Sequence, residues 1–442
     1  MKKVLNQIII KPFIIITLLL LVLGFYNNSY AQLAKDKPKF LGNIHNGSVT
    51  ADRNFIKWWN QITPENAGKW GQVQVAGPTS FTWTGLDAAY NFAKNRTNKM
   101  YFRLHAFLWG QQYPGWVRTA DSATIYNALE EYMKLASTRY TEIDFIDVVN
   151  EPLHFDNVSG DAIADVAKIK KAFGGTGTSG WDYVINTFRM AKKYFNKEKL
   201  HINDYSIIQS TSATDNYLKI IKLLQDEDLI GGIGVQGHRF ELENANTAIM
   251  KNNLDKLAAT GLPVYITEFD LGNFSNSGTP NDQVQLDSYK KIFPVIWEHP
   301  GVKGVTLWGY IQNAIWQSTA FLLRNDLTDR PAFTWLKEYV EKSFTTNVEG
   351  ELKIPSEFSL SQNYPNPFNP TTTIGFSLPK ESDVKIVIYD VLGNQIETVT
   401  NSRMSAGNHK VDWKATNLTS GIYLYQITAG IFSQIKKMTL IK

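Results

Sequence analysis

Asp144-Phe145-Ile146-Asp147-Val148-Val149-Asn150-Glu151 is an apolar, β-branched run that ends on an amide and a carboxylate. β-Branched residues suit a pleated strand, and a run this apolar reads as one buried on both faces. A carboxylate at the end of such a strand is costly to bury unless it is hydrogen-bonded or employed in chemistry. Glu151 therefore needs a reason, and the rest of the chain supplies one.

Seven other runs share this design: Phe40–Gly47, Trp59–Asn66, Met100–Trp109, Leu200–Tyr205, Gly232–His238, Pro263–Asp270 and Gly304–Gly309. Helical patterns alternate with them, among them Thr124–Arg139, Trp181–Phe195 and Gln283–Trp297. Eight strands alternating with helices predict an α/β fold, a closed (β/α)8 TIM barrel, over residues 35–344. Active sites of such barrels gather at the C-terminal ends of the strands. Polar residues fall at those ends: Glu65-Asn66, His105, Asn150-Glu151, Asn203-Asp204, Gln236 with His238, Glu268 with Asp270, and Trp308.

Glu151 and Glu268, on the fourth and seventh strands, are the candidate catalytic pair. Either alone can be a salt-bridge member at a barrel rim. Facing one cavity, they fit glycosidic cleavage, one as a general acid of raised pKa and the other as an ionised nucleophile. Asn150 is poised to bond the hydroxyl beside the reacting carbon. His238 can bond Glu268, and Asp270 can orient His238. Residues two apart share a strand face, so Glu268 and Asp270 are both expected to point into the cavity. The alternative is a barrel metallohydrolase with ligands among His105, His238, Asp204, Glu268 and Asp270. The sequence lacks a tight His-x-His or His-x-x-x-His pair, so no metal site is expected.

The chain holds 12 Trp, 20 Tyr and 24 Phe, which are either core or platforms for sugar rings. Trp109, Trp116, Trp308, Trp316 and Tyr205 are candidates for stacking on pyranose faces. Glu65, Asn66, Lys69, His105 and Gln236 are candidates for bonding ring hydroxyls. Forty-five basic residues against 41 acidic ones leave a net charge of +4, spread thinly along 442 residues, which argues against nucleic acid as a partner. No cysteine is present, so disulfide frameworks and thiol chemistry are excluded.

At the N-terminus, Lys2, Lys3 and Lys11 precede the apolar stretch from Phe13 to Phe25, and Ser29-Tyr30-Ala31 offers a cleavage site. A signal peptide over residues 1–31 is expected; an uncleaved anchor would need roughly 20 spanning residues. Near residue 345 the composition shifts, predicting a linker over 345–359. Short β-type runs then follow at Thr372–Ser377, Val384–Tyr389, Gln395–Val399, Lys410–Trp413, Ile422–Ile427 and Phe432–Leu440. A small β-sandwich over residues 360–442, without catalytic residues, is expected.

That tail, with Tyr364-Pro365-Asn366-Pro367-Phe368-Asn369-Pro370, Val384–Asn394, Ser420-Gly421-Ile422-Tyr423 and basic Lys436, Lys437 and Lys442, resembles the type A C-terminal sorting domain of the type IX secretion system. The resemblance implies that the type IX machinery is a partner and that the protein is secreted or held at the cell surface. A carbohydrate-binding sandwich is the alternative.

The barrel motifs are similar to those of glycoside hydrolase family 10, the endo-β-1,4-xylanases. They are Thr63-Pro64-Glu65-Asn66-Ala67-Gly68-Lys69-Trp70, Arg103-Leu104-His105 through Trp109 to Trp116, Asp147-Val148-Val149-Asn150-Glu151, Asn203-Asp204-Tyr205, Gly234-Val235-Gln236-Gly237-His238 and Ile266-Thr267-Glu268-Phe269-Asp270. The resemblance implies Glu151 as acid/base and Glu268 as nucleophile, with retention of configuration. Glu65, Asn66, Lys69, His105, Trp109, Asn150, Gln236, His238, Trp308 and Trp316 would line the cleft. It further implies xylan as substrate and no cofactor; a monomer is expected. The sequence departs from the family pattern at Leu104, Gly110, Gln312 and Ile315, which bears on polymer preference and not on the catalytic pair. Rival readings are a barrel hydrolase of cellulose or mixed-linkage glucan, and a catalytically inactive glycan-binding surface protein.

Overall fold

The computed structural model describes residues 32–46, 55–95, 99–273, 279–344 and 357–441. The signal peptide expected over 1–31, and residues 345–356 of the expected linker, lie outside the described residues. The chain forms two compact units, one within residues 1–344 and one within 345–442.

The first unit is the expected barrel. Its strands are β1 (Phe40–His45), β2 (Gln61–Pro64), β3 (Tyr101–Leu104), β4 (Phe145–Asn150), β5 (Leu200–Asp204), β6 (Gly232–Val235), β7 (Val264–Phe269) and β8 (Val302–Leu307). All pair in parallel with their sequence neighbours, and β1 pairs with β8, closing the sheet. The long run foreseen over Met100–Trp109 is split. The chain leaves β3 after Leu104, then pairs again with β4 through Leu108–Trp109.

The principal helices are α1 (Thr84–Lys94), α2 (Ser122–Arg139), α3 (Ala162–Ala172), α4 (Asp182–Lys192), α5 (Thr211–Asp226), α6 (Thr247–Ala258), α7 (Asp282–Trp297) and α8 (Pro331–Lys342). Four of them, α2, α5, α6 and α7, start on a short polar side chain that caps the first turn. Asp121 accepts from the Thr124 amide, Asn246 from Ala248 and Ile249, and Asn281 from Gln283 and Val284. Each helix buries an apolar stripe against the strands; in α5 it comprises Thr214, Tyr217, Ile220, Ile221 and Leu224.

The barrel interior is filled, not hollow. Phe40, Phe145 and Tyr265 stack with His201 across its lower end. Gly304 makes room for this layer, since a Cβ there would lie 2.3 Å from the Phe40 ring. Arg103 threads upward from the layer, its guanidinium 5.1 Å from the Phe145 ring centre and bonded to Asp147 at 2.6 Å. The floor of the cavity above is thereby fixed in position.

The second unit contains two antiparallel sheets. One orders β9 (Ser359–Leu360), β10 (Thr371–Leu378) and β13 (Gly407–Lys414); the other orders β12 (Gln395–Met404), β11 (Ser382–Tyr389), β14 (Gly421–Ala429) and β15 (Phe432–Leu440). Strand alternation buries Ile374, Phe376, Ile386, Ile388, Tyr425 and Ile427 in one apolar cluster. This is the β-sandwich expected, with every foreseen strand but the last longer than its sequence run.

Candidate active site

The strand ends open onto a cavity of about 380 Å³. Every cleft candidate read from the sequence except Trp116 and Asp270 lines it, and so do Gln111, Gln112 and Phe240. Trp116 packs edge-on against Trp70 and donates its indole N–H to the Gln74 carbonyl, so it belongs to the wall's support. Asp270 follows the last residue of β7 and lies behind His238. The strand alternation that would turn it into the cavity no longer applies there.

Glu151 follows β4 and is buried. Its Oε1 accepts from Gln236 Nε2 at 2.9 Å and from Asn150 Nδ2 at 3.3 Å, while Oε2 accepts from Trp109 Nε1 at 2.8 Å. Burial pushes its pKa above the ordinary carboxylate value. The Gln236 and Trp109 bonds oppose that rise, and the nearby Glu268 charge adds to it. Its backbone is left-handed, with φ 56° and ψ 50°, which costs a residue with a Cβ roughly 1–2 kcal/mol and persists only where neighbours impose it.

Glu268 sits within β7 and is also buried. Burial alone would raise its pKa. The hydrogen bond from His238, with the charges of His105, His238 and Lys69, outweighs burial and holds it below the ordinary value. His238 Nε2 lies 3.2 Å from Glu268 Oε2 and its Nδ1 lies 3.0 Å from Asp270 Oδ2. Against burial, these two carboxylates lift the His238 pKa to about 10, so the ring is an imidazolium at neutral pH. Asp270 also accepts from the Arg239 amide and from Trp316 Nε1.

Asn203 was read only as a polar strand end; the structure gives it a larger part. It is fully buried, and its Nδ2 donates to Asn150 Oδ1 and to Glu268 Oε1, each at 2.8 Å. Thr267 fixes its amide by donating to Oδ1 at 2.6 Å. Glu241 was not foreseen at all. It is buried at the start of a short helix, and its carboxylate accepts from the Gly237, His238 and Ser206 amides. A Glu three residues after His238 is the capping-box spacing, the one signal that points to it.

The opposite wall carries Glu65, Asn66 and Lys69 after β2. Lys69 Nζ donates to Asn66 Oδ1 at 2.9 Å and lies 5.0 Å from the Trp109 ring centre. His105 Nδ1 is 3.0 Å from Asp147 Oδ2, and its ring meets Trp308 edge-on. Tyr205 and the half-exposed Phe240 face each other edge-on at 5.8 Å. Flat apolar rings interleaved with amide, carboxylate and ammonium groups suit a polyhydroxylated ring substrate. Among the described residues, no group of three or more His, Asp or Glu side chains is arranged to hold a metal ion.

Comparison with known proteins shows the family and the fold. The sequence matches glycosyl hydrolase family 10 over residues 27–339 and the secretion system C-terminal sorting domain over residues 362–442. It is 34% identical over 300 residues to endo-1,4-beta-xylanase B of Cellvibrio japonicus, covering 67% of this chain and 45% of that protein. It is 27% identical over 311 residues to endo-1,4-beta-xylanase 2 of Aureobasidium pullulans, covering 66% and 81%. The chain thus spans less than half the length of the first of these relatives. In fold, it is similar to xylanase 10B from Thermotoga petrophila RKU-1, solved in complex with xylobiose. The TM-score is 0.60 at 23% identity, covering 72% of this chain and 98% of that one.

Proposed function

The chain belongs to glycosyl hydrolase family 10, and we propose that it hydrolyses internal β-1,4-xylosidic bonds of xylan by a retaining double displacement. Glu151 protonates the leaving oxygen as the Glu268 carboxylate attacks the anomeric carbon, which breaks the glycosidic bond and forms a glycosyl-enzyme. Glu151, now ionised, takes a proton from water as that water attacks the same carbon, and Glu268 departs as a carboxylate. Two inversions give net retention. The chemistry draws on no metal or organic cofactor.

One observation carries this reading. Two buried carboxylates line one cavity and their pKa values are pushed in opposite directions, Glu151 upward and Glu268 downward. Such a pair is what an acid and a nucleophile working at the same pH require. In this reading Asn150 bonds the hydroxyl beside the reacting carbon, His238 and Asp270 aim Glu268, and Trp109, Trp308, Trp316 and Tyr205 stack on xylose rings. Glu65, Asn66, Lys69, His105 and Gln236 bond ring hydroxyls. The C-terminal sorting domain marks the protein for secretion or the cell surface. We assign the type IX machinery as its partner there.

The test is product analysis on defined xylo-oligosaccharides, with the anomer of the first product read by NMR. Internal cleavage with a β-anomer first supports the reading. An α-anomer, or tight binding with no product, overturns it. A parallel reducing-sugar assay on cellulose and mixed-linkage glucan decides the polymer.

A further inference from the structure

The backbone at Glu151 is held in its left-handed turn by the residues just after it, and one of these has no part in the scheme above. His154 N donates back to the Glu151 carbonyl at 3.0 Å, and Leu153 N donates to Asp204 Oδ2 at 2.8 Å. His154 Nδ1 meets the other oxygen, Asp204 Oδ1, at 2.6 Å, and that oxygen also accepts the Tyr205 amide at 2.8 Å. Asp204 is fully buried at the end of β5. It therefore ties the turn carrying Glu151 to the adjoining strand end, with the imidazole as the only side-chain donor among its contacts in the described residues.

The ring has a second contact. His154 lies flat on Tyr205, with centroids 3.8 Å apart and planes at 19°. The turn can close this far because residue 110 is glycine, where a Cβ would sit 2.2 Å from the Phe155 carbonyl oxygen. Partial burial disfavours a charge on His154. The bond to Asp204, with the charges of Asp204, Glu151 and Glu241, nonetheless keeps its pKa above the ordinary imidazole value.

We propose that His154 is a positioning residue: through its Nδ1 bond to Asp204 it locks the left-handed turn that aims the Glu151 carboxyl at the leaving oxygen. The proposal rests on Glu151 being the general acid. Displacing an acid by a fraction of a bond length harms proton transfer and leaves nucleophilic attack by Glu268 intact. The loss should then depend on how much the leaving group needs a proton.

The experiment compares kcat/KM of His154→Ala, His154→Gln and His154→Asn on two aryl β-xylobiosides. Dinitrophenolate leaves unaided; phenolate needs the acid. His154→Ala and His154→Gln are expected to lose about 10- to 100-fold on the phenyl substrate, the scale of a small misplacement. They should keep wild-type kcat/KM on the dinitrophenyl substrate. There kcat and KM fall together, because the glycosyl-enzyme builds up when its base is misaimed. His154→Asn sets an amide N–H where Nδ1 stood and should recover most of the phenyl activity. The Gln and Asn pair carries the test if the Ala variant fails to fold. Equal losses on both substrates, or no loss on either, overturn the proposal while leaving the acid assignment standing. A wild-type protein inactive on both overturns the reading beneath it as well.

Discussion

His238 stands between two carboxylates, its Nε2 3.2 Å from Glu268 and its Nδ1 3.0 Å from Asp270. An imidazolium so placed favours the ionised form of its neighbour, and it does so inside a site where burial alone would do the opposite.

The pH dependence follows with a definite sign. Glu268 must be ionised, and its depressed pKa keeps it so as pH falls below the ordinary glutamate range. Glu151 must be protonated, and its elevated pKa keeps the proton as pH rises above that range. The profile of kcat/KM against pH is expected to be a bell whose two limbs lie on either side of the ordinary value. Replacing His238 by Ala removes the cation and raises the Glu268 pKa, so the acid limb moves to higher pH. A limb that stays where it is would detach His238 from this role.

Removing the nucleophile and removing the acid should look different. Glu268→Ala is expected to cost on the order of 10⁴-fold or more in kcat on xylan, the scale on which enzymes lose a nucleophile. Glu151→Ala should lose comparable activity on xylan yet still react with a dinitrophenyl β-xylobioside, whose leaving group requires no proton. Because the general base is then absent, the glycosyl-enzyme accumulates. Intact mass spectrometry should find the protein heavier by one xylobiosyl group, and an adduct that survives in Glu151→Ala, Glu268→Ala would place the attachment elsewhere.

Asn203 joins the two halves of the site, since one amide nitrogen serves Asn150 Oδ1 and Glu268 Oε1. Asn203→Ala leaves both oxygens short of a donor in a buried place, a loss of about 1–3 kcal/mol in stability. Thermal melting and kcat should both fall. Asn203→Asp is sharper, for a second carboxylate beside Glu268 favours its protonated form. Losing the donor to Glu268 already raises its pKa in Asn203→Ala, so the acid limb of the pH profile should move to higher pH in both variants, and further in Asn203→Asp.

These residues also show what the sequence could disclose. The barrel was legible because eight apolar runs end in polar side chains, and Glu151 and Glu268 stand out because a carboxylate closing such a run is costly to bury unless it is hydrogen-bonded or employed in chemistry. Asn203 was visible as a strand-end amide, but its partners lie 53 and 65 positions away, and only closure of the barrel brings them within 2.8 Å. Asp270 was misplaced because alternation was carried one residue past the end of β7. Trp116 was read with the cleft tryptophans since composition cannot tell a ring facing sugar from one facing Trp70. His154 gave no signal, as its role depends on a turn geometry that no local pattern encodes.

The last prediction separates the electronic from the steric part of Trp109. Its indole N–H donates to Glu151 Oε2 at 2.8 Å, which favours the ionised acid, so this bond holds the Glu151 pKa below what burial would give. Trp109→Phe keeps an aromatic face over the cleft, within reach of Lys69, and deletes the donor. The Glu151 pKa should rise, and the alkaline limb of kcat/KM should move to higher pH while the acid limb stays with Glu268. KM for xylo-oligosaccharides should change little, since a flat apolar ring remains. Trp109→Ala removes donor and ring together, so it should show the same shift of the alkaline limb and a raised KM besides. If both variants raise KM and neither moves the limb, Trp109 contributes only a surface, and the proton on Glu151 is set by burial, Gln236 and the neighbouring carboxylates.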